Sequence, residues 1–298
     1  MDILEILKAI LLGIVEGITE WLPVSSTGHM ILLDEFISLK VSPSFMEMFL
    51  VVIQLGAIAA VAVLYFDKLN PLSRRKTEAE KKSTWSLWAK VIVGAIPAAV
   101  FGLLLDDLLD EYFYNYVVVS IALIVYGVVF ILIESGVINK LKKRLGKKSQ
   151  LEDVVKENTT PRVTDVEALS YTDAIKIGAF QVLSLIPGTS RSGSTIIGGM
   201  LSGVSRKASA EFSFFMALPI MLGASGLKVV KFILDGFSAT TDELILLLIG
   251  IVISFAVSLF AIKFLISFVS SHDMKPFGIY RILLGIIVLI YFLVRSFA

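Results

Sequence analysis

Long apolar stretches alternate with short polar ones along the whole chain. Six of them are long enough to cross a bilayer as helices, at 45–66, 86–105, 116–138, 208–234, 244–271 and 277–297. Two others, 4–37 and 172–205, are interrupted by Pro23 and by Pro187, each followed by hydroxyl residues and a glycine. Irregular backbone at membrane depth is tolerated only where it is buried in protein or lines a wet cavity. We therefore predict that these two stretches are re-entrant helical hairpins.

The two interrupted stretches carry the same order of residues. Each has a glycine, an acid or amide three positions later, a proline, and then hydroxyls with a glycine. The first copy carries carboxylates and His29 where the second carries Arg191, which indicates a duplicated chain specialised to opposite charges. With a slip of one residue near the proline, the predicted pairs are Glu16 and Gln181, Thr19 and Ser184, Pro23 and Pro187, and Ser26 and Ser190.

The repeat divides the chain into two halves. Residues 1–138 hold the first hairpin and three spans, and residues 172–298 hold the second hairpin and three spans. The polar segment 139–171 opens with six basic residues and is predicted to be a basic cytoplasmic linker. An odd number of crossings per half inverts the second copy. The predicted fold is therefore an all-α polytopic membrane protein built from two inverted-topology repeats.

Loop charges set the expected orientation. Basic residues concentrate in 67–85 and 139–171, whereas the predicted turn at 106–111 is acidic. The positive-inside rule then places both basic loops in the cytoplasm and both chain ends outside. If 4–37 crosses the bilayer completely, the N-terminus lies in the cytoplasm instead. The first residues lack a basic region and a small-residue cleavage pattern, so we expect no removed signal peptide.

Composition agrees with a membrane protein. Apolar residues make up 56% of the chain and the mean hydropathy is +0.85, above ordinary soluble usage. The chain has no cysteine, which removes disulfides, thiol nucleophiles and thiolate metal sites. The formal net charge is +1, and we expect the membrane but no nucleic acid among its partners.

Glu16 and Glu20 are the first candidates for chemistry. They are four residues apart, so on a helix they share one face. Two carboxylates this close repel each other unless one takes up a proton or a cation sits with them. Hard oxygen ligands suit Mg²⁺ or Ca²⁺. The alternative is a wetted helix end, but apolar residues surround both acids, and intramembrane acids are usually functional.

Hydroxyls and a histidine follow these acids. Ser25, Ser26 and Thr27 are adjacent, and one of them is enough to cap the next helix while another faces a substrate. A lone histidine is more often structural than catalytic. Beside the acid and hydroxyl cluster, however, His29 becomes a candidate general acid or base.

Arg191 is the counterpart of these groups in the second half. Its guanidinium fork matches phosphate oxygens, and the helix that starts beside it adds N–H groups that favour anions. We expect Ser190, Ser192 and Thr195 to bind substrate with it. Gln54 is an intramembrane amide that either bonds another helix or lines the site. We expect the other charged residues near span ends to reach the interface, namely Glu134, Lys228, Lys231, Lys263, Arg281 and Arg295.

The motifs resemble those of a known family. The segments 16–29 (EGITEWLPVSSTGH) and 187–193 (PGTSRSG) are similar to the two signature motifs of the bacterial undecaprenyl pyrophosphate phosphatase family, the bacitracin-resistance type. The similarity covers nearly the whole chain and fades in 139–171. It continues through the shorter segments 52–57 (VIQLGA), 198–201 (GGML), 203–206 (GVSR), 211–214 (EFSF) and 279–281 (IYR).

This resemblance implies hydrolysis of the terminal phosphate of a C55 polyprenyl diphosphate lipid, which recycles the carrier of cell-wall peptidoglycan synthesis and underlies bacitracin resistance. It implies a site open to the external, periplasmic face of the inner membrane and stimulation by Mg²⁺ or Ca²⁺. Glu16 and Glu20 become the acid pair and Arg191 the diphosphate clamp. Ser26 and His29 become the candidate nucleophile and base, and a homodimer is left open.

Three points stay open. Either Ser26 attacks phosphorus, with His29 or a glutamate as base, or activated water attacks and Ser26 only donates. The pattern of the family has an acidic residue near position 50. This chain has Leu50 there and Glu47 one turn earlier, so a role for an acid on that helix is in doubt. A transporter or flippase of an anionic lipid is the rival class, because inverted repeats with broken helices also describe transporters.

Overall fold

The computed structural model describes residues 2–113, 115–136 and 161–297, and these residues are mainly helical. The first half contains α1 (Ile3–Thr19), α2 (Ser26–Phe36), α3 (Pro43–Val52), α4 (Gln54–Leu64), α5 (Phe66–Leu69), α6 (Glu78–Tyr112) and α7 (Tyr116–Glu134). The second half contains α8 (Tyr171–Val182), α9 (Arg191–Leu201), α10 (Arg206–Leu234), α11 (Thr241–Ser271) and α12 (Lys275–Phe297). Short 3-10 turns lie at Val166–Ala168 and Leu183–Leu185.

Six stretches of the described chain are long and apolar enough to cross a membrane. They correspond to the six predicted spans and are Pro43–Leu64, Glu78–Leu105, Tyr116–Glu134, Arg206–Leu234, Thr241–Ser271 and Lys275–Ser296. The two predicted hairpins are also broken helices, because α1 and α2 are separated by a turn at Pro23, and α8 and α9 by a turn at Pro187. The chain is therefore an all-helical, multi-pass membrane protein.

The acidic segment 106–111 is not the separate turn that the sequence predicted. It belongs to α6, which continues to Tyr112. Neither glycine nor proline interrupts residues 103–112, and α7 begins only where Asn115 caps it by accepting from the Val118 N–H at 3.0 Å. The helix α6 also begins earlier than predicted, at Glu78, because Thr77 and Glu80 form a capping box.

Helices from the two halves pack against each other in pairs. The first helix of each hairpin lies along a long helix of the other half, α1 along α11 and α8 along α6. The helix pair α3–α4 packs against α10, and α7 packs against α12. Glycines permit this contact: a Cβ added at Gly127 would lie 2.6 Å from the Gly278 carbonyl oxygen of the facing helix. Each of the three clusters of buried apolar residues therefore contains residues from both halves.

The two ends of the first hairpin meet near the start of α11. The backbone N–H of Lys40, just after α2, donates to Glu5 in α1 at 2.7 Å. Ser42 then donates to Glu243, in the first turn of α11, at 3.4 Å.

The two ends of the second hairpin meet near the other end of α11. Arg162 donates to Asp173 in α8 and to the Ser202 carbonyl after α9. Arg206, which starts α10, pairs with Glu134, and Glu134 also accepts from the Met274 N–H just beyond α11. The two hairpins thus open at opposite ends of α11.

Two predictions about polar segments are corrected here. Glu134 does not reach the interface, because its side chain is 2% exposed and forms a bidentate ion pair with Arg206. The last part of the predicted linker is folded, because Val163, Val166 and Leu169 are buried and Val163 bridges Val204. Apolar residues three apart in 163–169 bury this segment against the bundle. Residues 139–160 of the linker lie outside the described residues.

Other charged residues near span ends follow the expectation. Lys231, Lys263 and Arg295 are exposed on their helices. Lys228 pairs with the exposed Glu47 at 3.0 Å, so Glu47 lies on the surface.

Candidate active site

Both helix breaks have the same backbone geometry. Ser25 and Ser190 have φ of 70° and 74° and are the two non-glycine residues of the described chain with positive φ. Each is an N-cap: Ser25 Oγ accepts from the Gly28 N–H at 3.3 Å, and Ser190 Oγ from the Gly193 N–H at 3.2 Å. Strained backbone of this kind persists only where its surroundings hold it, and it clusters at functional sites.

This geometry corrects the predicted pairing of the two motifs. Ser190 corresponds to Ser25 and not to Ser26, with the same spacing that separates Glu16 from Gln181. The one-residue offset affects only the pairing of the two prolines, because the irregular turns around them accommodate it. The equivalent of Arg191 is therefore Ser26, each being the first residue of the helix after its break.

The two breaks are in direct contact through a salt bridge. Arg191 donates from Nε and Nη2 to Glu20 Oε1 at 3.2 and 3.1 Å. Its Nη1 donates to the Ser213 carbonyl oxygen at 2.7 Å, and its guanidinium carbon lies 5.6 Å from the centre of the Trp21 ring. The structure thus joins the anionic and cationic motifs, as the sequence predicted.

Glu20 also contacts the candidate nucleophile. Ser26 Oγ donates to Glu20 Oε2 at 2.9 Å, so one carboxylate links Ser26 to Arg191. A carboxylate that accepts a hydroxyl hydrogen in this way is placed to act as its base.

His29 is occupied elsewhere. Its Nδ1 lies 2.7 Å from the Ser25 carbonyl oxygen, and its Nε2 lies 2.7 Å from the Tyr280 hydroxyl. Because a carbonyl oxygen only accepts, Nδ1 carries a hydrogen, and in the neutral form of the ring Nε2 accepts from Tyr280. The histidine ring also stacks on Tyr280, with the ring planes 8° apart. Of the two bases considered for Ser26, the contacts favour Glu20.

Glu16 fits a role in cation binding. Its side chain is buried, and within the described residues Oε1 has no hydrogen-bond partner. Glu20 follows one turn later, and no third acid or histidine in the described parts of the chain joins the pair in a metal-binding group. Mg²⁺ is commonly held by one or two carboxylates together with water and substrate phosphates. The pair fits that arrangement, whereas an all-protein cage for Ca²⁺ would need more ligands.

The residues predicted to bind substrate fall into two groups. Ser26, Thr27, His29, Ser190 and Arg191 are half-buried and form the accessible side of the site. The buried hydroxyls already serve the protein: Ser25 caps α2, Ser192 Oγ donates to the Leu22 carbonyl oxygen at 3.2 Å, and Thr195 Oγ1 donates to Ser213 Oγ at 2.6 Å. Gln54 is half-buried at the start of α4, and its side chain makes no hydrogen bond to another described residue.

Sequence reasoning missed two residues that α12 brings to the site. Tyr280 contacts His29, and Arg281 is wholly buried against both breaks instead of reaching the interface. Their signal in the sequence is the IYR segment 279–281, which takes part in the family resemblance without a role. Nothing local separates a buried arginine from one that extends to the interface.

Comparison with known proteins decides the family. A family model described as bacitracin resistance protein BacA matches residues 9–287. The chain belongs to the BacA family. Both breaks, and the IYR segment of α12, lie within the part that matches the BacA model.

Individual proteins are also similar to this chain over nearly their whole length. A protein from Acetivibrio thermocellus is 54% identical over 290 residues, 97% of this chain and 98% of the relative. One from Enterococcus faecalis is 53% identical over 286 residues, 96% and 97% of the two chains. One from Desulfitobacterium hafniense is 53% identical over 297 residues, 99% of each. All three relatives are named undecaprenyl-diphosphatase.

The buried Glu20–Arg191 pair yields a prediction about stability. Glu20→Gln and Arg191→Met should each lower the free energy of unfolding by about 3 kcal/mol or more, because each leaves a buried charge without its partner. The double variant should lose less than the sum of the two. Reversible unfolding in mixed detergent and SDS measures the coupling.

The exposed Glu47–Lys228 pair is the matched control for this cycle, since its side chains are 68% and 33% exposed. Its coupling should stay below about 1 kcal/mol. Equal coupling in the two pairs would contradict a buried, specific link between the breaks.

Proposed function

We propose that this chain is an integral-membrane phosphatase that hydrolyses undecaprenyl diphosphate to undecaprenyl phosphate and inorganic phosphate. The observation that carries the proposal is the Arg191–Glu20–Ser26 chain of contacts, formed where the two broken helices meet. These contacts bring together the Arg191 guanidinium, which can bind phosphate, the Glu20 carboxylate as a base, and the Ser26 hydroxyl. The names of the BacA relatives supply the substrate.

The site suits a diphosphate because several donors converge on it. Arg191 offers a planar fork, and α2 and α9 both begin at the breaks with their N-terminal N–H groups. Phosphoryl transfer needs mainly positioning and neutralisation of charge at the transferred group. These groups meet that requirement from the cationic side.

In the preferred mechanism, Ser26 Oγ forms a bond to the terminal phosphorus while the bridging P–O bond breaks. Undecaprenyl phosphate leaves with that electron pair, and the Ser26 proton passes to Glu20 Oε2, its present hydrogen-bond acceptor. A diphosphate on Arg191 competes with Glu20 for the same guanidinium hydrogens, which frees the carboxylate to take the proton. Water then attacks the phosphorus of the phosphoserine and the Oγ–P bond breaks. Glu20 returns its proton to Ser26 Oγ, and dihydrogen phosphate, which keeps both hydrogens of the water, is released. In the alternative, activated water attacks directly and Ser26 only donates.

A divalent cation completes the proposed chemistry. Glu16 and Glu20 would hold it together with phosphate oxygens, and Mg²⁺ fits their number best. When bound, the cation supplies neutralisation of the phosphate charge. His29 and Tyr280 flank the accessible side of the site, where the Tyr280 hydroxyl would donate to the outgoing phosphate once it releases His29 Nε2.

The contacts support inverted repeats of 1–138 and 172–298 about the 139–171 linker. Equivalent spans pair across the halves, α3–α4 with α10 and α7 with α12. The two hairpins open at opposite ends of α11. The basic segment 67–85 lies near the end where the second hairpin opens, since Lys68 pairs with Glu211 in the early turns of α10. We propose that this end is cytoplasmic and that the first hairpin opens to the external face of the inner membrane. A homodimer stays a prediction.

Transport of an anionic lipid is less well supported. The asymmetry of the motifs, with acids and Ser26 on one side and Arg191 on the other, serves bond cleavage directly. The names of the relatives also describe a hydrolase.

Phosphate release tests the function. Detergent-solubilised protein should liberate inorganic phosphate from undecaprenyl diphosphate, because hydrolysis needs no sealed membrane. Glu20→Gln and Arg191→Ala should each lower kcat/KM by about 10²-fold or more, since each removes a charged group from the reacting centre. The exposed Glu47→Gln should behave like the unmodified chain. Absence of release by well-folded protein, with lipid movement across vesicles, would favour the transporter.

The identity of the nucleophile has its own test. If Ser26 attacks, acid quenching of the Arg191→Ala or His29→Ala variant with substrate labelled at the terminal phosphate should trap phosphoserine at Ser26. Ser26→Ala should lose turnover by at least about 10³-fold, as nucleophile deletions do. Sustained turnover by Ser26→Ala would leave water as the nucleophile. Mass spectrometry of peptides covering 20–30 locates the label.

Removal of metal tests the cation. Excess EDTA should abolish most phosphate release, and Mg²⁺ should restore it, because Arg191 alone then offsets the negative charge of the two carboxylates and the diphosphate. Glu16→Gln should raise the Mg²⁺ concentration needed for half-maximal activity. Full activity in EDTA would remove the acid pair from metal binding.

A further inference from the structure

Arg281 is a buried guanidinium that contacts both helix breaks. It lies on α12 with no exposed surface. Its Nη1 donates to the Pro23 carbonyl oxygen at 3.1 Å, and its Nη2 donates to the carbonyl oxygens of Gly188 and Thr189 at 2.8 and 2.9 Å. One side chain thus bonds three carbonyls that belong to two separate motifs.

These carbonyls explain why a charge is tolerated at this depth. A helix break leaves backbone oxygens without helical partners, and no lipid group can satisfy them. Arg281 supplies hydrogens to both turns at once, and the Tyr126 ring lies over its guanidinium at 5.7 Å from the ring centre. Its Nε has no hydrogen-bond partner among the described residues, so the polar contacts of this residue are all directed at the two turns.

The bonded carbonyls stand beside the reacting groups in the chain. Pro23 lies between Glu20 and Ser26, and Gly188 and Thr189 come directly before Ser190 and Arg191. A shift of either turn would therefore change the distance between the Glu20 carboxylate and the Arg191 guanidinium. Lysine has no planar fork with which to bridge both turns in the same way.

We propose that Arg281 is a positioning residue that sets the spacing of the two breaks, and with it the Glu20–Arg191–Ser26 geometry. It does not touch the substrate and acts through the two turns. The inference rests on the proposed function, since it assigns a role in that same site.

The central test compares Arg281→Lys and Arg281→Met with the unmodified chain. Both should give folded protein whose kcat for phosphate release is lower by about 10²-fold, the cost expected of a misplacement near 1 Å. Amide hydrogen exchange should become faster both in peptides covering 20–28 and in peptides covering 186–193, because both turns lose hydrogen bonds from the same side chain. Size-exclusion chromatography and apparent Tm measure the folded fraction, so kcat is expressed per folded molecule.

Arg206→Lys is the control for loss of a guanidinium elsewhere. Arg206 is 40% exposed and pairs with the buried Glu134 carboxylate, at the end of the bundle away from the breaks. The Arg206→Lys variant should leave kcat and the exchange of both turns near those of the unmodified chain. A further arm combines Arg281→Lys with Arg191→Ala: if Arg281 acts through the placement of Arg191, the added change should lower kcat little beyond Arg191→Ala alone.

Three outcomes would overturn the inference. These are unchanged kcat per folded molecule in both Arg281 variants, faster exchange in one turn only in Arg281→Met, and failure of both variants to fold, which would assign Arg281 a general structural role. If the unmodified chain releases no phosphate, the proposed function fails. The exchange experiment, which needs no turnover, then decides separately whether Arg281 joins the turns.

Discussion

The structure depends on one constraint: each broken helix leaves backbone groups that only protein can satisfy at this depth. Each break provides hydrogen-bond partners for polar groups of the other break. Ser192 of the second break donates to the Leu22 carbonyl of the first, and Arg191 bonds Glu20. Arg281 donates to carbonyls on both sides. The same contacts that satisfy the irregular backbone bring a carboxylate, a hydroxyl and a guanidinium together, so the site is a product of the way the breaks are stabilised.

Much of this arrangement could be predicted from the sequence, because polar residues are rare and costly in apolar helices. Glu16, Glu20 and Arg191 stood out for that reason, and Pro23 and Pro187 marked both breaks. Hydropathy located the six spans. The two-fold echo of the motifs then indicated that the acidic and basic copies face each other, which the Glu20–Arg191 contact confirms.

What could not be predicted is which distant groups a polar residue meets. Arg281 and Glu134 have the same local pattern as residues that extend to the interface. Both side chains are buried, because Arg281 bonds carbonyls of the two turns and Glu134 pairs with Arg206 of α10. His29 stood beside Ser26 in the sequence, but its ring turns to Tyr280. The register of the two motifs followed the prolines in the sequence, whereas the structure aligns the strained residues Ser25 and Ser190. Each difference is set by long-range contacts.

The exchange of packing partners between the halves has a consequence for biogenesis. During synthesis, α1 and α2 leave the ribosome long before α11, the helix that α1 packs along. The first hairpin also carries Glu16 and Glu20 without Arg191 until the first three spans have been made, because Arg191 follows them in the chain. The first hairpin therefore gains its packing partner and the counter-charge of its acids only after the second half of the chain has been made.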